Sequence, residues 1–178
     1  MTPQLRFPEF TDKWQIKKLG DTVKFEQGVQ VDLSQQKPTP FEDSVKFLRI
    51  ENYTQKSQDF RYISKKIAGK KYINDDEVAV VRYGATAGFI ATGQSGVLAN
   101  NLFSVRSNGD SISNKFLSLR LKQPRTYSYF QSEMSGGAMP ALSFSIVSRY
   151  KFAFPSKPEQ EKIADFLTAV DERIAVGE

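Results

Sequence analysis

The 178-residue chain has no cysteine and no histidine. Without cysteine there are no disulfides and no thiolate zinc sites, which fits a reducing compartment. Without histidine, Ser-His-Asp and Cys-His nucleophilic sites, imidazole acid–base catalysis and imidazole metal ligands all drop out. Long apolar runs are also missing, and none approaches the ~20 residues of a membrane span. Met1-Thr2-Pro3-Gln4-Leu5-Arg6 lacks the apolar core of a secretory signal. These absences point to a cytoplasmic protein, off the membrane, and weigh against catalysis.

What is present suits one globular domain with real β content: 39% hydrophobic residues, including 14 Phe, alongside 7 Tyr. The net charge of +5 is unevenly divided. From Glu159 onward six acidic residues stand against Lys162 and Arg173, a net −4, which leaves +9 on the rest. A basic body suits a polyanionic partner. An acidic tail is repelled by that polyanion and suits a protein. An ordinary basic protein with a solvated acidic helix is the plain alternative.

Period-two patterns place the strands. Loose alternation around Val23, Phe25 and Gly28 predicts a strand and turn over 21–31, and residues 45–50 and 60–63 predict two more. Val78-Ala79-Val80-Val81-Arg82 is the most apolar strand and is expected at the sheet centre. Residues 88–92 and 102–106 continue the sheet, and 34–44 read as a polar loop. Ser113 or Asn114 caps a helix running to Lys122. Pro124 starts another, with Tyr127, Phe130 and Met134 on one face and Gly136-Gly137 as its stop. Residues 1–15 read as an irregular arm packed down by Phe7, Phe10 and Trp14.

A final helix opens at Pro158. Ile163, Leu167, Val170 and Ile174 are spaced four, three and four apart, a heptad seam joined by Phe166. An isolated helix of about four turns is marginal in water. The seam of Ile163, Phe166, Leu167, Val170 and Ile174 therefore needs an apolar partner, either a coiled-coil or bundle helix or the chain's own body. Pro155-Ser156-Lys157-Pro158 reads as a stiff hinge between a body over about 1–155 and a protruding amphipathic helix over 156–178.

Three blocks carry a resemblance. The first is Leu5-Arg6-Phe7-Pro8-Glu9-Phe10 with Trp14 and Lys18-Leu19-Gly20. The second runs from Tyr72 to Gly88 and ends in Arg82-Tyr83-Gly84-Ala85-Thr86-Ala87-Gly88. The third is Ser135-Gly136-Gly137 with Pro140, Leu142 and Phe154-Pro155, then Glu159 through Leu167. In order and spacing they resemble the specificity subunits of type I restriction-modification systems. The resemblance implies an α+β target recognition domain, with a curved mixed β-sheet flanked by small helices, and the start of a conserved spacer (coiled-coil) helix. It implies sequence-specific recognition of double-stranded DNA, one half of a bipartite target, with no catalysis in this chain. It also implies partners: modification subunits that methylate adenine with S-adenosylmethionine, and a restriction subunit that uses ATP and Mg. No cofactor is implied for this chain. It corresponds to about half a subunit, either a cut piece or a half-subunit that self-associates through its helix.

Candidate DNA-binding residues follow from side-chain chemistry. Lys56, Arg61, Lys65, Lys66, Lys70 and Lys71 surround a lone acid, Asp59; they suit phosphate neutralisation or a solvated loop. Gln27, Gln30, Asn52, Tyr53, Thr54 and Gln55 follow strands, and Asn or Gln can bond adenine bidentately; taken singly, each is more often a turn residue or a solvated polar side chain. Arg82 ends a strand and precedes Tyr83 and Thr86 in a loop with Gly84 and Gly88. That suits a guanine or phosphate contact, a tight hairpin, or both. Asn100-Asn101-Leu102-Phe103 lacks both prolines of the adenine-methyltransferase Asn-Pro-Pro-aromatic motif. Asp75-Asp76-Glu77 suits an exposed turn more than a metal site. A small methyltransferase or nuclease and a protein-binding adaptor are the rival functions.

Overall fold

The computed structural model describes residues 6–109, 111–134 and 141–177. Strands β1 (Gln15–Lys18) and β2 (Val23–Gln27) lead through a 3-10 turn at Leu33–Gln35 to β3 (Ser44–Leu48). Helix α1 (Ile50–Thr54), β4 (Arg61–Ser64) and the single turn α2 (Lys65–Ala68) follow. Next come β5 (Val78–Val81), β6 (Ile90–Ala91), β7 (Val97–Leu98) and β8 (Leu102–Ser107). Helices α3 (Asn114–Leu121), α4 (Pro124–Met134) and α5 (Phe144–Arg149), strand β9 (Lys151–Phe154) and helix α6 (Lys157–Val176) complete the order.

The centre is an antiparallel sheet in the order β2-β8-β5-β6. Every residue of β5 is buried, because both faces of the sheet are covered; that is why Val78 to Val81 is an unbroken apolar run. Successive strand residues point to opposite faces. Val78, Val80, Phe103 and Val105 pack with Phe116, Phe130, Val147 and Phe152 from α3, α4, α5 and β9. Ala79, Val81 and Leu102 pack with Leu48 and Tyr53 on the other side.

The α+β class, the small helices and the long C-terminal helix agree with expectation. Residues 88–92 and 102–106 continue the central sheet as expected, through β6 and β8, whereas the strands expected at 45–50 and 60–63 lie in a second sheet. Residues 44–64 lie across a face of the central sheet, where β3 pairs antiparallel with β4 and parallel with β7. The third sheet is β1 with β9. All four residues of β1 are exposed, so it carries no alternation to read, and its partner lies near the other end of the chain. Helix α3 has Ser113 as its cap, the hydroxyl accepting from the Phe116 amide at 3.3 Å. Helix α4 starts at Pro124. The Gly136-Gly137 stop lies outside the described residues.

The entry to α6 is a fixed joint rather than a hinge. Glu159, Gln160 and Ala164 are fully buried. The Arg6 guanidinium forks onto the Glu159 carboxylate at 2.6 and 2.7 Å, and Trp14 Nε1 donates to it at 3.2 Å. The Gln160 amide accepts from Ser113 N–H at 2.9 Å and donates to the Ser111 and Pro155 carbonyls at 2.8 and 2.9 Å. Lys162 pairs with Glu9 and lies 4.7 Å from the Phe7 ring, which meets Phe166 edge-on at 5.9 Å. Of the three aromatics expected to hold the arm, Phe7 packs on α6, Trp14 packs on Phe116, and Phe10 is half-buried.

Candidate nucleic-acid interface

Antiparallel pairing brings three distant segments to one end of the central sheet. Gln27 at the end of β2 stands opposite Phe103, and Val81 at the end of β5 stands opposite Leu102. The residues just beyond, Arg82 and Asn100, therefore meet Gln27 although they are 55 and 73 positions away. Gly28 makes this approach possible: a Cβ there would sit 2.1 Å from the Ala99 carbonyl oxygen.

Arg82 is held on several sides. Its amide donates to the Asn101 carbonyl at 2.9 Å, and its carbonyl accepts from the Leu142 amide at 2.8 Å. Its guanidinium carbon lies 4.9 Å from the Tyr83 ring centroid and 5.6 Å from that of Phe144. Phe144 in turn stacks on Phe25 at 5.4 Å and meets Phe103 edge-on at 5.0 Å. Nη1 of Arg82 donates to Gln27 Oε1 at 2.5 Å. Gln27 Nε2 donates to the Leu102 carbonyl at 3.2 Å and to that of Asn100. Two rings and one hydrogen bond hold this planar cation, of the kind that reads guanine or grips phosphate, and its buried Nε has no hydrogen-bond partner.

Two more polar groups stand beside it. The exposed Asn100 amide donates to the exposed Gln30 side chain. Gln30 and Asn100 line a groove of about 520 Å³ with Leu33, Gln36, Arg49 and Asn101. Lys71 Nζ donates to the Gln27 carbonyl at 3.0 Å, which joins the basic segment to this sheet end. Lys66 and Lys70 are exposed on the same segment, and Lys65 is exposed and 3.6 Å from Asp43.

The other candidates are placed differently. Asn52 is only 2% exposed. Its Oδ1 accepts from the Arg49 amide, and its Nδ2 donates to the Ser57 and Asp59 carbonyls at 3.0 and 3.3 Å. Tyr53 is buried in the second core, and burial pushes its phenol up. These two side chains are turned inward because residues 50–54 form a helix rather than a strand end. Gln55, Tyr83 and Thr86 are exposed. In the acidic run, Glu77 pairs with Arg106 at 3.4 Å and Asp76 accepts from Asn114 at 3.1 Å.

Neither Asn100 nor Phe144 was among the candidates legible in the sequence, although Asn100 bonds Gln30 and Phe144 lies beside Arg82 at this sheet end. Asn100 carried no local signal, because what places it is the pairing of β8 with both β2 and β5. Phe144 carried no signal, since nothing local marks it as the floor under Arg82.

On α6, Ile163 packs partly on the body, whereas Phe166 is 56% and Ile174 is 59% exposed, with Leu167 and Val170 also open. Among the described residues no helix is long and apolar enough to cross a membrane.

Comparison with known proteins agrees with this layout. The MjaVIII type I restriction enzyme specificity subunit of Methanocaldococcus jannaschii is 27% identical over 177 residues, covering 96% of this chain and 38% of that protein. The HsdS subunit from Thermoanaerobacter tengcongensis superimposes with a TM-score of 0.67 at 18% identity, covering 98% of this chain and 41% of that one. The type I S subunit from M. genitalium gives 0.68 at 18% identity, with 98% and 43% covered. The two structures establish the fold, and the chain spans about two fifths of the length of each relative. Residues 11–177 match the family described as the type I restriction modification DNA specificity domain, and the chain belongs to that family.

Proposed function

We propose that this chain recognises duplex DNA by sequence, reading one half of a bipartite target for a type I restriction-modification complex and doing no chemistry itself. The observation that carries the reading is the convergence of Gln27, Gln30, Arg82 and Asn100 beside Lys71 at one sheet end. Phosphate contacts from Lys65, Lys66, Lys70 and Lys71 set register, and the polar side chains at the sheet end supply discrimination. Tyr83 and Thr86 follow Arg82 in the same exposed loop, and Gln55 adds an exposed polar side chain at the end of α1. Asn52 acts by holding the α1 loop, and Tyr53 by packing beneath it. Methylation and cleavage, with S-adenosylmethionine and ATP, belong to partner subunits.

The test is binding to duplex DNA across a salt series. Affinity falls as salt rises, with a slope of about 0.9 per neutralised phosphate. Lys65→Ala with Lys66→Ala reduces that slope by about 1.8 and weakens all sequences alike. An unchanged slope removes α2 from the interface. Affinity that is absent, or indifferent to salt, favours a protein-binding adaptor.

The seam of Ile163, Phe166, Leu167, Val170 and Ile174 receives a helix from a modification subunit or from a second copy of this chain. Leu167→Asp places a charge in that seam and lowers complex formation more than tenfold, since one buried unpaired carboxylate exceeds about 1.4 kcal/mol. Size-exclusion chromatography with and without the modification subunit separates the two partners.

A further inference from the structure

One side chain near the sheet end is apolar where folding has no use for it. Leu33 is 84% exposed, at the start of the 3-10 turn Leu33–Gln35. The turn is firmly closed. The Gln35 amide donates to the Asp32 carbonyl at 3.0 Å, and the Gln36 amide to that of Leu33 at 3.1 Å. Gln36 Nε2 donates to the Val31 carbonyl at 2.9 Å. On one side Val31 is buried in the core of the three-stranded sheet. On the other, Lys37 and Tyr62 exchange both backbone hydrogen bonds at 2.9 Å. The leucine is thus presented on a braced tip.

Its surroundings identify what it meets. Leu33 shares its groove with Gln30 and Asn100, the exposed polar pair of the sheet end, and with two carboxylates, the exposed Asp32 and Glu51, the latter half-buried and paired with Arg49 at 2.8 Å. Lys37 is exposed at the end of the same loop, where a cation can take a flanking phosphate. A ligand that satisfies amide side chains and a lysine while offering an apolar slot is a stacked base step. We propose that Leu33 is a wedge that enters one base step of the bound duplex, partly unstacking it and bending the DNA. Apolar wedges of this size kink duplexes in other architectures, and the energy of opening a step depends on its sequence. Leu33 thereby adds discrimination at a step that no hydrogen bond reads. The inference rests on the DNA-recognition reading above.

The test uses the full 178-residue chain and a duplex that it enriches from a randomised pool, with 2-aminopurine placed at successive positions. The wild-type chain raises fluorescence at one step. Leu33→Ser abolishes that rise and weakens the intact duplex roughly tenfold. It leaves the salt slope unchanged, and it weakens a duplex carrying a mismatch at that step less than about twofold, because a mismatched step is already loosened. The exposed position keeps the fold intact, which circular dichroism verifies. Enrichment of a duplex with no step-specific rise, or equal affinity of Leu33→Ser for the intact duplex, overturns the wedge and leaves the recognition reading standing. No enrichment by the wild-type chain overturns both. Impaired binding to a modification subunit with unchanged DNA binding reassigns Leu33 to a protein contact and overturns the wedge.

Discussion

Arg82→Ala is expected to lower affinity for the preferred duplex by about 1–3 kcal/mol, roughly 5- to 150-fold, while changing affinity for random duplex far less. The asymmetry follows from how Arg82 is held. The Tyr83 and Phe144 ring centroids lie 4.9 and 5.6 Å from its guanidinium carbon, and Gln27 Oε1 accepts from Nη1 at 2.5 Å. A guanidinium fixed in this way meets a base edge without first losing its own freedom. Arg82→Lys should not restore discrimination, because an ammonium has neither the planar fork nor the same stacking on two rings. Gln27→Glu should also reduce affinity, since it places a carboxylate on the sheet end proposed to face DNA. Equilibrium binding to preferred and random duplexes at one salt concentration checks all three variants. Equal losses on both duplexes would make Arg82 a phosphate contact.

Gln160→Ala is expected to destabilise the fold by about 2–4 kcal/mol, measured by urea denaturation. Gln160 is fully buried at the root of α6. Its removal leaves the Ser113 N–H and the Ser111 and Pro155 carbonyls without this partner. A buried group stripped of its partner costs about 1–3 kcal/mol, and water entering the gap recovers part of that. Gln160→Glu should also destabilise, since a carboxylate accepts from Ser113 but cannot donate to the two carbonyls. A loss below about 0.5 kcal/mol, the range of ordinary surface changes, would mean that α6 is loosely attached. The functional consequence concerns direction. With its root held by Gln160 and by the Arg6–Glu159 pair, α6 leaves the body at a set angle. Whatever docks on its outer turns is thereby positioned against the sheet end.

Much of this layout was legible because its signals are local. The apolar run Val78 to Val81 marked the central strand. Ser113 and Pro124 marked helix starts, and the four-three-four spacing marked the α6 seam. Arg82 at a strand end, ahead of Gly84 and Gly88, was legible as the start of a tight loop. What stayed hidden depends on pairing between distant segments. No local pattern says that Gln27 will accept from Arg82, or that Asn100 will face Gln30. Asn52 and Tyr53 misled for a related reason: polar residues after a strand look like readers, but a single helical turn aims them inward. The joint at Pro155–Pro158 looked like a hinge because prolines and a change of composition mark flexible boundaries. The Arg6 and Trp14 side chains and the Ser113 amide bind the first turn of α6 to the body.

The most direct test of the account is amide hydrogen exchange on the full chain with and without its preferred duplex. DNA is predicted to slow exchange in residues 27–37, 65–71, 82–88 and 99–102, and to leave the outer turns of α6 unchanged. Protection confined to α3 and α6, with the sheet end untouched, would contradict it.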